Sequence, residues 1–247
     1  MHMPDGVLDP AALVAAGAVS VGAVTWSMHE VRRGRPRLGL ALAGAGALLI
    51  AHLADVPLYG PYTAHLIGGT LLAVAIGPWL ALATMASALT IEALLWHDGG
   101  TAALGANVLV MGVVGILVGY FAYRAIVALA TRLRGGGPGS GRLRPDSSET
   151  SPWTKASAAA VGAWLSVMAS AFTLASLVSV GSATTVGTMT GVPEATIVDL
   201  LPRYAAWGLL EATLTGVAVA AALGWNRSVV RIEAAADLER RVPAPSR

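Results

Sequence analysis

The chain begins MHMPDGVLDP, with a histidine as its second residue. A free amine, the amide nitrogen that follows it and the Nδ1 of an imidazole at position two can close two fused chelate rings in one plane. A fourth nitrogen from another histidine would complete a square, the arrangement that favours Ni2+ or Cu2+ over Zn2+, Mg2+ or Ca2+. Taken alone, the dipeptide reads first as an early polar residue on a frayed terminus. Further histidines stand at positions 29, 52, 65 and 97, and the chain has no cysteine, so thiolate ligands and disulfides are excluded. Glu92 and Glu211 fall inside apolar runs, where an ionised side chain costs roughly 2.5–3.5 kcal/mol. Each must be protonated, hydrogen-bonded to a neighbouring helix, or turned to a polar cavity where it could face a divalent cation. Asp55 and Asp98 read as solvated or helix-capping residues.

The elements that must position these groups are membrane helices. Hydrophobic residues make up 55% of the 247 and charged ones 12%, with a mean hydropathy of +0.66, whereas soluble domains carry about 25% charged residues. A hydrocarbon core of about 30 Å needs roughly 20 apolar residues per helix. On that measure the fold class is an all-α integral membrane protein with about seven transmembrane helices, at 10–31, 37–55, 62–76, 79–96, 104–131, 156–182 and 200–224. The third span is short, is flanked by DVPLYGPY and is cut from the fourth by IGPW. Non-helical backbone entering the outer membrane half is therefore expected there. Residues 132–155 have the Gly, Ser and Pro content of a flexible linker, and 225–247 form a tail.

Lys and Arg placement orients the spans. With the amino terminus outside, every Lys and Arg except Arg203 falls on or near the cytoplasmic face, which places the 132–155 linker and the 225–247 tail inside. His2, His52, His65 and His97 then gather at the outer face, with His65 four residues into the third span, and only His29 lies at the inner one. Residues 1–9 carry Asp5 and Asp9 and no Lys or Arg, unlike a secretory signal. His2 is too large for efficient removal of the initiator methionine, so Met1 is expected to stay. Ala12, Ala16 and Ser20 form a four-residue stripe of small side chains that lets another helix approach.

The stretches MHMPDGVL, VPLYGPYTAHLIGGTLLAVAIGPW and LWHDGGTAALGANVLVMGVVG, with WGLLEATLT more weakly, occur in this order. Together they resemble the cobalt/nickel substrate-binding components of energy-coupling factor (ECF) transporters, the CbiM/NikM group, over most of 1–120 and the last span. The resemblance implies the ECF S-component fold and a square-planar site for Ni2+ or Co2+. Its ligands would be the Met1 amine, the His2 amide and imidazole nitrogens, and the His65 imidazole, with Asn107 beside them. His52, His97, Glu92 and Glu211 are candidates to surround these ligands or line the cation's route. Two positions depart from the family pattern, which usually has Asn where this chain has Val110 and His where it has Tyr204. Such lost polar groups bear on metal preference.

The sequence has no G-x-x-x-x-G-K-[ST] loop to cradle ATP phosphates, Lys155 being its sole lysine. Transport would then depend on partners, which the resemblance implies are a transmembrane coupling subunit (T component) and two ABC-type ATPase subunits. A small accessory membrane subunit is a further candidate, and the Ala12, Ala16, Ser20 stripe is a candidate docking face for the coupling subunit. The expectation is a multi-pass protein of the plasma membrane, not an enzyme, with no organic cofactor and no nucleic-acid partner. The rivals are an S component for a vitamin or other small solute and an intramembrane metallohydrolase. The latter would need a ligand set such as H-E-x-x-H, which does not occur.

Overall fold

The computed structural model describes residues 1–59, 62–135, 150–181 and 197–225. Helix α1 (Pro10–Arg32) starts where Asp9 accepts a hydrogen bond from the Ala12 amide at 2.7 Å and Pro10 supplies the first helical residue. Both are helix-start signals, since the orphan amides need an acceptor and proline has none to leave unpaired. Helix α2 (Leu38–His52) follows, then a hairpin of β1 (Val56–Tyr59) and β2 (Tyr62–Ala64), then α3 (Gly69–Ile76) and α4 (Pro78–Leu95). A one-turn helix α5 (Leu104–Asn107) runs into a π-helical stretch, Val108–Gly115, and on into α6 (Ile116–Gly135). Two long helices, α7 (Pro152–Gly181) and α8 (Ile197–Trp225), complete the described chain.

Among the described residues, five helices are long and apolar enough to cross a membrane: Pro10–Arg32, Pro78–Leu95, Leu104–Leu133, Pro152–Val180 and Leu200–Gly224. The protein is thus a mostly helical, multi-pass membrane protein. Of the seven expected spans, two fall short. The 37–55 span contains the 15-residue α2, about 22 Å long at 1.5 Å per residue against a core of about 30 Å. The 62–76 span is not a single helix: residues 62–64 are strand, 65–68 are irregular, and only the eight residues Gly69–Ile76 are α-helical. The all-α expectation needs the same correction, because β1 pairs antiparallel with β2 in the register Val56↔Ala64 and Pro57↔Thr63. Tyr, Thr and Val favour extended backbone, and Pro57 is tolerated in an edge strand. The helical ends of the 132–155 linker and of the 225–247 tail are ordered as α6, α7 and α8, while 136–149 and 226–247 lie outside the described residues.

Helix α7 packs on α6 and on α8, and α4 packs on α1, α2 and α3. The π-helical stretch, with its i→i+5 pattern, lies at the centre of the bundle, and serines of α7 reach its carbonyls. Ser170 Oγ donates to Val110 O at 2.9 Å and Ser166 Oγ to Gly115 O at 2.7 Å. Val14, Val21 and Trp26 of α1, Phe172 of α7 and Val217 of α8 are exposed, as side chains that face lipid must be.

The small-residue stripe of α1 is used inside the chain. Ala16 and Ser20 are buried, Ala12 packs against the core, and Ser20 Oγ donates to Gly105 O at 2.6 Å. A Cβ at Gly105 would meet the Gly17 Cα at 2.6 Å, so α1 and α5 touch backbone to backbone. Part of the face expected to dock the coupling subunit, at Ala16 and Ser20, is thus packed against α5 within the chain. Gly105→Ala puts a methyl group against main chain that cannot yield, and overpacking of this kind costs about 1–3 kcal/mol. The thermal unfolding midpoint of the detergent-solubilised protein is expected to fall, and an unchanged midpoint contradicts the close contact.

Candidate metal centre

The first three residues are not frayed. Met1, His2 and Met3 are 1%, 3% and 0% exposed, so the arm preceding α1 folds back into the bundle. Its backbone polar groups need partners there, and Asn107 at the end of α5 supplies those of Met3. The Met3 amide donates to Asn107 Oδ1 at 2.8 Å, and Asn107 Nδ2 donates to Met3 O at 3.1 Å and to Gly99 O at 2.6 Å. Asp5 fastens the same arm to the loop after α4, accepting from the Ala103 amide at 2.9 Å and the Thr101 amide at 3.1 Å. Gly99 is required where the arm crosses this loop. Its φ is +79°, and a Cβ would lie 2.7 Å from Asn107 Nδ2 and 3.0 Å from His2 Cδ2.

Three imidazoles from three separate segments meet at the arm's tip. The His2 and His65 rings stack with centroids 4.6 Å apart, His52 and His65 lie 4.0 Å apart, and His2 and His52 meet edge-on at 5.7 Å. One nitrogen from each lies within 4.8 Å of the others, and all three residues are buried. His65 sits in the irregular backbone between β2 and α3, which corrects its expected place within a helix. Its Nδ1 is 3.2 Å from Leu66 O, while its Nε2 and the Nε2 of His52 are buried with no hydrogen-bond partner among the described residues. A ring whose Nδ1–H donates to a carbonyl keeps its lone pair on Nε2, the tautomer that a metal ligand needs.

Two carboxylates complete the cluster. Glu92 Oε1 is 2.8 Å from His52 Nδ1, and its Oε2 is 3.3 Å from His2 Nε2. Asp98 Oδ2 lies 3.1 Å from His2 Nδ1. Burial works against a charged His2 ring, but Asp98 and Glu92 outweigh it and hold the imidazole above its ordinary value. The Met1 amine moves the other way. Burial pushes it down to about 5, with Asp55, Asp98, Glu211 and Glu92 opposing. An amine that is neutral near pH 7 has a lone pair to donate, as does the unpartnered Nε2 of His65. Nitrogen donors of this kind suit a first-row transition cation better than Mg2+ or Ca2+. A small crevice beside the cluster is lined by Leu49, His52, Leu53, Glu92, Trp96 and Asp98.

The fold therefore brings together Met1, His2, His65, His52, Glu92 and Asn107. It leaves out His97, which is exposed with φ +55° in the loop after α4. Glu211 reaches the main chain near His65 rather than the rings, accepting from the Ile67 and Gly68 amides at 2.8 Å each. Val110 is buried among apolar side chains, so the position that departs from the family pattern carries no polar side chain into the cluster. Sequence reading missed Asp98 and Asp5 as parts of the site. Both occur in the motif stretches WHDGG and MHMPDG, beside residues that were singled out, and that adjacency was the available signal.

The sequence profile of the CbiM family, described as the cobalt uptake substrate-specific transmembrane region, matches residues 2–227. The cobalt transport protein CbiM of Sorangium cellulosum is 31% identical over 228 residues, covering 89% of this chain and 90% of that one. The fused nickel transport protein NikMN of Rhodobacter capsulatus is 38% identical over 135 residues, 53% of this chain and 38% of that one. The chain spans only 42%, 39% and 58% of the length of three further relatives it matches. A crystal structure of a transition metal transporter superposes with a TM-score of 0.70 at 27% identity, covering 89% of this chain and 91% of that one.

The electrostatics of the cluster have a measurable sign. Because Asp98 raises the His2 imidazole, Asp98→Asn is expected to move the His2 titration to lower pH, followed through the ring carbon signals in an NMR pH series. An unmoved midpoint would show that the two side chains do not interact as the geometry requires.

Proposed function

This chain belongs to the CbiM family, and from that premise we propose that it is the substrate-binding S component of an ECF importer for Ni2+ or Co2+. It captures the ion at the outer face in a square of four nitrogens: the Met1 amine, the His2 amide, the His2 Nδ1 and the His65 Nε2. The observation that carries this reading is the burial of Met1 and His2 beside a His65 whose Nε2 has no hydrogen-bond partner among the described residues. Loading the ion on the His2 Nδ1 exchanges its Asp98 contact for a metal bond, so binding releases protons and weakens as the solution is acidified.

The topology that fits places the amino terminus outside, the carboxyl terminus in the cytoplasm and the protein in the plasma membrane, as the Lys and Arg distribution favours. ATP hydrolysis belongs to two ABC-type ATPase subunits acting through a T component, with a small accessory membrane subunit as a further partner. Nitrogen donors alone do not separate nickel from cobalt, and copper binds such a square at least as strongly.

The clustering of three imidazole nitrogens within 4.8 Å favours a second arrangement, in which His52 is a direct ligand. The two differ magnetically, since square-planar Ni2+ is diamagnetic and a site of three imidazoles completed by solvent leaves Ni2+ paramagnetic.

The function is tested by metal content after dialysis of the purified protein. Wild type and His29→Ala are expected to retain one ion per chain, because His29 stands beside Trp26 on α1, away from the cluster. His65→Ala is expected to retain none. Equal metal in wild type and His65→Ala would overturn the site.

A further inference from the structure

The main chain that carries His65 is held from one side by α8. Tyr204, Trp207 and Glu211 are spaced i, i+3 and i+7, which places them on one face of that helix. The Tyr204 hydroxyl donates to Thr63 O at 2.8 Å, and Trp207 Nε1 donates to His65 O at 2.9 Å. Glu211 accepts from the Ile67 amide on Oε2 and the Gly68 amide on Oε1, each at 2.8 Å. Two carbonyls and two amides within six residues thus find their partners on a single helix stripe.

These groups are not spare. Residues 65–68 lie outside both the β1–β2 ladder and α3, so their buried amides and carbonyls have no regular structure to satisfy them. The His65 ring is tied in turn to this main chain by its own Nδ1 contact with Leu66 O at 3.2 Å. The direction of the Nε2 lone pair is therefore fixed in two steps, ring to backbone and backbone to α8.

We propose that Tyr204, Trp207 and Glu211 are positioning residues for the bound cation: their clasp on the 63–68 main chain aims His65 Nε2 at the amino-terminal nitrogens without touching the ion. This rests on the reading of His65 as a ligand. It also gives Tyr204, where the family pattern usually has His, a task of its own. A phenol hydroxyl long enough to reach Thr63 O from α8 keeps the upper end of the clasp closed.

The test compares Trp207→Phe, Glu211→Ala, Glu211→Gln and His65→Ala in the full chain, with Trp164→Phe as a control. Trp164 Nε1 donates to Ala205 O at 3.2 Å, so its variant also loses an indole hydrogen bond to this part of the fold, but not one to the His65 segment. The readouts are the unfolding midpoint without metal, the Ni2+ dissociation constant, and the ligand-field absorption of bound Ni2+. Trp207→Phe and Glu211→Ala are expected to weaken Ni2+ about 10–100-fold and to shift the absorption, the range seen when outer partners of a ligand are removed. Glu211→Gln, which keeps one acceptor oxygen, is expected to recover part of the loss. Trp164→Phe is expected to lower the midpoint while affinity and spectrum stay at wild type. If His65→Ala loses the metal but Trp207→Phe and Glu211→Ala bind and absorb as wild type, the clasp is overturned and the ligand set stands. The clasp is also overturned if Trp164→Phe weakens Ni2+ as much as they do, because general loosening then explains the effect. If His65→Ala itself binds as wild type, the ligand assignment fails and the clasp falls with it.

Discussion

An amino terminus buried in a membrane protein is costly unless each of its polar groups is met, since an unsatisfied buried donor or acceptor costs about 1–3 kcal/mol. Here Asn107 meets the Met3 amide and carbonyl together, and Asp5 ties the arm to the Thr101 and Ala103 amides. That stitching brings His2 beside His65 and His52. Asn107 in turn depends on α5 lying flush against α1, where Gly105 approaches Gly17 and Ser20 reaches the Gly105 carbonyl. The helix packing, the folded arm and the imidazole cluster are thus successive consequences of one constraint, that a buried arm be anchored through the Met3 main chain and the Asp5 carboxylate.

The irregular parts of the structure lie where the site needs them. The hairpin and the 65–68 segment carry His65 between α2 and α3, and non-helical backbone inside a membrane protein persists only where protein or a polar cavity surrounds it. The π-helical stretch directly follows Asn107, and such stretches are frequently found at functional sites. Ser166 and Ser170 cover two of its carbonyls from α7. These irregularities are held by side chains from distant segments, so the site is built from tertiary contacts rather than from any local motif.

Five spanning helices were legible because apolar runs of membrane length dictate them. The third expected span was legible in part: DVPLYGPY announced non-helical backbone, but not that the Tyr and Thr of YTAHLIGG would enter a strand and leave only Gly69–Ile76 helical. Histidine placement at one face followed from counting spans and basic residues, and Met1, His2 and His65 do lie together. What sequence could not give is which carboxylate faces which ring. Asp98 read as a solvated or capping residue at a loop, and it reaches His2 only because the arm folds over that loop. His97, its neighbour, has a left-handed backbone and an exposed side chain. The Ala12, Ala16, Ser20 stripe had the right spacing for helix packing, but spacing does not say whether the partner helix belongs to the same chain.

The central claim is that the amine of Met1 is itself a metal ligand, and one added residue tests it. An alanine placed before Met1 turns that amine into an amide and carries the new amine out of the chelate ring, while a matching addition at the carboxyl end leaves it untouched. Ni2+ binding should be lost in a correctly inserted protein whose amino-terminal extension is verified by mass spectrometry, and retained in the carboxyl-terminal counterpart. Wild-type affinity in the amino-terminally extended protein would contradict the account.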